Sequence, residues 1–150
     1  MAAFLVLAFA AAGHAQAKSN LSGEWKVNIS RSDYGPMPAP QSAAVNIRHE
    51  DPSFKVAARQ SSERGESSWE LTYTTDGKEC SNQVRGNLVK STVKWEGDTL
   101  VFDSKLSVNG NEISLRDQWS LSGDGKVLTV KRHFSTSQGE GEQRIVYEKQ

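Results

Sequence analysis

Four polar side chains fall where apolar residues are due. Ser91, Ser104, Asp117 and Arg132 each interrupt the apolar face of a segment that otherwise alternates apolar and polar residues. An unpaired charge withdrawn from water costs several kcal/mol, so an inward Asp and an inward Arg have to be partners. Two roles are open to them. One is an internal Asp117–Arg132 pair, hydrogen-bonded to Ser104 and Ser91, that fixes strand register. The other is a polar floor in an apolar cavity, with Arg132 offered to a ligand carboxylate or phosphate. Asp117 beside it already neutralises part of that charge. Phe102 and Trp119 share the face and would supply the apolar wall.

Other residue types offer less. His49-Glu50-Asp51 and His133 carry no His-x-His or Glu-x-x-His spacing, so no metal site is expected. Haem held through His49 inside a cavity would rest on one histidine. Cys80 has no base near it in sequence and reads as a half-buried thiol. No catalytic residue and no cofactor is expected. The chain is read as a non-enzyme.

The polar residues are positioned by four segments, Leu88–Trp95, Leu100–Val108, Ile113–Leu121 and Val127–Phe134. Their period-two alternation marks strands with one buried face. The turns between them hold the Gly, Asn and Asp of tight hairpins. A Gly97-Asp98 turn pairs Trp95 with Leu100, Val93 with Phe102 and Ser91 with Ser104. A Gly110-Asn111 turn pairs Val108 with Ile113, Leu106 with Leu115, Phe102 with Trp119 and Ser104 with Asp117. An Asp124-Gly125 turn pairs Leu121 with Leu128, Trp119 with Val130, Asp117 with Arg132 and Leu115 with Phe134. Together these registers predict one inward row, Ser91–Ser104–Asp117–Arg132.

Further strands are expected at Asn20–Ile29, Ala43–His49, Phe54–Gln60, Ser67–Tyr73, weakly at Glu79–Val84, and at Gln143–Glu148. The proline-spaced stretch Arg31–Pro40 reads as a linker or as a semi-rigid flap carrying Tyr34 and Met37. About ten short strands without an amphipathic helix predict an all-β fold. It is a single closed up-and-down antiparallel β-barrel of about 8–10 strands.

Residues 1–17 form an apolar run ending in small residues and read as a signal peptide, cut after Ala15 or Ala17. The run is too short to span a bilayer, which needs about 20 apolar residues. Residues 18–150 then make one domain. That leader predicts an exported protein, periplasmic or secreted, with no integral membrane segment after cleavage. Lys plus Arg and Asp plus Glu number 18 each, and none lies in the leader. A neutral domain gives no electrostatic reason to bind nucleic acid or an anionic membrane. A single cysteine excludes an intramolecular disulfide. The oligomeric state stays open.

Gly23-Glu-Trp25 resembles the opening motif of lipocalins in the calycin superfamily. There the indole closes the barrel bottom under an Arg from the C-terminal end. By chain position that Arg is Arg144. The tail Arg144-Ile-Val-Tyr147 is similar to the Arg-x-Tyr ending of fatty-acid-binding proteins, where Arg and Tyr hold the ligand carboxylate. One extra residue here sends Arg144 and Tyr147 to opposite faces, leaving Tyr147 inward near Arg132. The helical lid of that family and the lipocalin Thr-Asp-Tyr motif, C-terminal helix and disulfide have no counterpart. As a whole the chain resembles small exported bacterial lipocalin-like domains of undefined activity. The apolar interior with its one polar row points to a barrel holding a small hydrophobic or amphipathic ligand, reached near the Pro36–Pro40 flap. The alternative is a solid-core structural or interaction protein of the cell envelope.

Overall fold

Pairing in this computed structural model, which describes residues 18–150, runs unbroken through ten antiparallel strands. The expected signal segment 1–17 lies outside the described residues. The strands are β1 (Gly23–Val27), β2 (Ser42–Glu50), β3 (Ser53–Ser62), β4 (Gly65–Thr74), β5 (Asp76–Val84), β6 (Asn87–Glu96), β7 (Thr99–Val108), β8 (Asn111–Leu121), β9 (Val127–Thr136) and β10 (Gly139–Lys149). Their order is β4-β3-β2-β1-β10-β9-β8-β7-β6-β5. The first and last strands therefore pair with each other, and the meander curls into a nearly closed barrel.

Alternation does the folding. The inward sets are mainly apolar, and a one-residue slip would turn them to water. Leu21, Trp25, Ile47, Phe54, Leu100 and Leu128 are fully buried on the inner face. β1 stops earlier than its pattern suggests. After Val27 the chain enters a 3-10 turn, Ile29–Arg31, where the Asn28 side chain accepts from the Arg31 N–H at 3.2 Å.

The two remaining edges, β4 and β5, meet at a seam closed by side chains. Asn82 Oδ1 accepts from the Thr72 N–H at 2.8 Å, and its Nδ2 donates to the Thr72 carbonyl at 3.1 Å. Thr74 N–H donates to Cys80 Sγ at 3.2 Å, and the Arg85 guanidinium lies over the Trp69 ring. These side chains satisfy backbone groups that an open edge would leave unpaired.

The two ends of the barrel differ. At the end carrying the β2–β3 and β6–β7 turns, Phe54 packs against His49, Tyr73, Phe102 and Trp119, with ring centroids 5.1–6.5 Å apart. That end is filled. Toward the β7–β8 and β9–β10 turns the inward residues Trp69, Leu71, Leu106, Leu115 and Phe134 stay half-buried. The lumen opens there.

Candidate functional site

Asp117 on β8 and Arg132 on β9 are direct cross-strand partners on the inner face. The guanidinium grips the carboxylate with two bonds, Nε to Oδ1 at 2.7 Å and Nη2 to Oδ2 at 2.6 Å. Bidentate, charge-assisted bonds of this kind are short and geometrically specific. Asp117 beside it drives the Arg132 pKa further up, so this side chain stays charged. Asp117 keeps 10% of its side-chain surface exposed and Arg132 keeps 33%. With a third of its surface uncovered at an inward-facing position, Arg132 borders the open end of the barrel. It is not packed into a core.

The predicted single polar row is not what forms. The β7–β8 turn is Asn109-Gly110, both residues in the left-handed region at φ 51° and 80°, not Gly110-Asn111. Asn-Gly satisfies the type I′ requirement for two positive φ values. Pairing shifts by two residues, to Leu100–Trp119, Phe102–Asp117, Ser104–Leu115 and Leu106–Ile113. The shift preserves parity, so every residue keeps its face while the row splits. Ser91 and Ser104 bond each other at 2.7 Å, one row away from the ion pair. They do not reach Asp117 as expected.

Phe102 now lies opposite Asp117, with its ring 4.8 Å from that of Trp119. Trp119 Nε1 is buried and has no hydrogen-bond partner. An unsatisfied buried donor costs about 1–3 kcal/mol. On the far side of Arg132, Gln143 of β10 continues the row. Gln143 shares the inward parity of Tyr147, which is the signal in the sequence that marks it. Its Nε2 donates to the Tyr34 carbonyl at 3.1 Å.

Tyr147 and Tyr73 complete the polar surroundings. Burial pushes the Tyr147 hydroxyl up to about 12, against the pull of Arg132 and with added push from Tyr34 and Asp117. Burial also raises Tyr73, with Asp117 reinforcing and Arg132 opposing. Both are neutral phenols at neutral pH and serve as donors or acceptors.

The flap is fastened along the wall. Asp33 and Arg144 exchange both backbone bonds, at 2.7 and 2.8 Å, extending the ladder beyond the short β1. Tyr34 packs with Val27, Val130, Ile145 and Tyr147, while Met37 stays 54% exposed. The barrel-closing place expected of Arg144 is held by another residue. Arg144 is exposed and donates to the Arg31 carbonyl, whereas Lys149 Nζ lies 5.4 Å over the Trp25 ring. Gly23 and Trp25 do sit under it: the Lys149 stem passes where a Cβ on Gly23 would stand. Chain position alone pointed to the wrong cation because β10 alternates faces.

His49 forms a lock at the closed end rather than a ligand site. Its side chain is 4% exposed, Nδ1 accepts from the Leu21 N–H at 3.1 Å, and Nε2 meets Asp51 Oδ1 at 2.7 Å. No ring nitrogen is left for haem or a metal. Among the described residues no group of His, Cys, Asp and Glu is arranged to hold a metal ion. Asp51 also accepts from Thr75 Oγ1 and Trp95 Nε1. Burial alone would raise its carboxyl, but bonds from Thr75, His49 and Trp95 outweigh it and hold the pKa below the ordinary 3.8. The folded state therefore binds this proton more weakly than the unfolded state. Its stabilisation is complete above the ordinary value and is lost as pH falls through the lower folded one. Asp51→Asn is expected to flatten that part of the acid limb in urea unfolding across a pH series. An acid limb identical to that of the unaltered protein would contradict the lock.

Two grooves are open to solvent. One of about 690 Å³ runs along β1–β4 between Glu24, Lys26, Arg59 and Glu66. The other, about 320 Å³, is bordered by Arg132 and Gln143 together with Asp33, Lys131, Glu142 and Arg144, so the Arg132–Gln143 row is reached from it.

No protein-family model matches the sequence, and no curated protein matches it. Solved structures do. Zebrafish ileal bile acid-binding protein complexed with cholic acid superposes with a TM-score of 0.61 at 17% identity, covering 87% of this chain and 98% of that one. Secretory abundant heat soluble protein 4 from Ramazzottius varieornatus gives 0.59 at 14% identity, over 91% and 99% of the two chains. Schistosoma mansoni fatty acid binding protein in complex with arachidonic acid gives 0.51 at 12%, over 87% and 96%. Identities this low speak to fold alone. The chain has the ten-stranded antiparallel barrel fold of the bile acid-binding and fatty acid-binding structures it superposes on.

Proposed function

We propose that this chain is an exported, non-enzymatic barrel that holds a small hydrophobic or amphipathic molecule in its lumen. The observation carrying this reading is the uncovered third of Arg132 within a half-buried apolar wall. Arg has five N–H donors, and two of them are used on Asp117. Three remain without a protein partner among the described residues. Phe102, Trp119, Leu115 and Phe134 offer apolar surface to a tail, and Tyr147 and Tyr73 offer hydroxyls near the head. Structural neighbours named for bile acid and fatty acid support the reading by analogy of fold.

The second reading, a solid-core interaction protein, draws on the filled aromatic end around Phe54. Native mass spectrometry of protein purified from its host separates the two. The binding reading expects an added mass that organic extraction removes. Empty barrels that also exclude the uncharged dye Nile red would support the solid core.

A further inference from the structure

Charge inside the barrel is closed on itself. Among the described residues the inward positions flanking the lumen are apolar or uncharged, with Gln60, Ser67, Asn87, Ser104 and Gln143 as polar examples. The two charged exceptions are Asp117 and Arg132, and they neutralise each other. His49 is buried at the closed end and paired with a part-exposed Asp51, and Lys149 caps Trp25 at the tip of β10. The Tyr73 and Tyr147 hydroxyls are neutral. A carboxylate approaching the free edge of Arg132 would place a second negative charge around one positive charge. Like charges sharing a site disfavour ionisation of one of them. What the site does offer is donors, the three guanidinium N–H groups that Asp117 leaves free.

We propose that the lumen selects an amphipathic molecule whose head is an uncharged oxygen acceptor, such as an alcohol, ester or ketone, and that Asp117 discriminates against a free carboxylate. This rests on the binding reading above. The head accepts from the free N–H groups of Arg132 without disturbing the ion pair. Binding a carboxylate instead requires Arg132 to leave Asp117, or Asp117 to take up a proton.

Competition against bound Nile red with dodecan-1-ol, methyl dodecanoate and dodecanoic acid, at about pH 8 where the acid is ionised, tests this. The alcohol and ester are expected to displace the dye at concentrations about tenfold or more below those needed for the acid. Because a charge also enters an apolar lumen less readily, Asp117→Asn separates the causes. It is expected to raise acid binding about tenfold and so to narrow or abolish the preference for the alcohol. Should that variant fail to fold, D117L/R132M removes both charges together. There the alcohol is expected to weaken about tenfold while Nile red is still taken up. An acid that competes as well as the alcohol against the unaltered protein overturns the head-group inference and leaves the binding reading standing. So does an alcohol affinity unmoved by D117L/R132M. A protein that takes up neither dye nor competitor overturns both.

Discussion

Replacing Asp117 with Ala is expected to destabilise the barrel by about 3–5 kcal/mol, the range for stranding one member of a buried ion pair. The loss should fall toward the lower end, because Arg132 keeps a third of its side-chain surface open to the lumen. The two members of the pair are not equivalent. A guanidinium cannot shed its charge, whereas a stranded carboxyl can take up a proton. Arg132→Met is therefore expected to cost less than Asp117→Ala. Removing both charges with apolar residues of similar size should return most of the stability, since such exchanges are often neutral or stabilising. Urea unfolding of the three variants checks the series. If Asp117→Ala costs under about 1 kcal/mol, the lumen solvates Arg132 well enough for the pair to be dispensable. If Arg132→Met keeps stability but loses Nile red displacement by dodecan-1-ol, the side chain serves the ligand more than the fold.

Trp25→Ala is expected to cost about 3–5 kcal/mol, the usual range for deleting a buried aromatic. Trp25 is fully buried at the point where β1 joins β2 to β10. Its Nε1 donates to the Leu21 carbonyl at 3.0 Å, and Lys149 covers its outer face. The change would open a cavity and leave the Leu21 carbonyl without this donor. Leu21 also donates to His49, so the lock at the closed end would loosen with it. Trp25→Phe keeps most of the volume and should cost much less. A lowered urea midpoint with an unchanged slope is the expected signature. A midpoint within error of the unaltered protein would show that the strand junction does not depend on this ring.

Much of this architecture was legible because barrel strands alternate with a strict period. Parity alone sent Asp117, Arg132, Phe102, Trp119 and Tyr147 inward, and the Gly97-Asp98 and Asp124-Gly125 hairpins paired as expected. The middle hairpin did not. Its turn, Asn109-Gly110-Asn111, offers two overlapping pairs of turn formers, and the choice between them moves the register by two residues. Such a slip leaves the hydrophobic pattern untouched, so only turn chemistry decides it, and that chemistry favours Asn-Gly. Splitting the polar row followed from that one turn. Lys149 over Trp25 was hidden for a different reason. The motif specified a cation near the C-terminus but not the face it occupies. The His49 lock drew partners from Leu21, Asp51, Thr75 and Trp95, which no local spacing connects.

The lumen as a binding site is tested most directly at its orphaned donor. Of the four tryptophans, Trp25 bonds Leu21 and Trp95 bonds Asp51, while Trp119 Nε1 has no partner. Nitrogen-15 NMR of the four indole N–H signals, with Trp119 assigned from its loss in Trp119→Phe, follows each during titration with dodecan-1-ol. Binding in the lumen should move the Trp119 signal saturably and leave that of Trp25 in place. A Trp119 signal that stays fixed at every concentration would contradict the account.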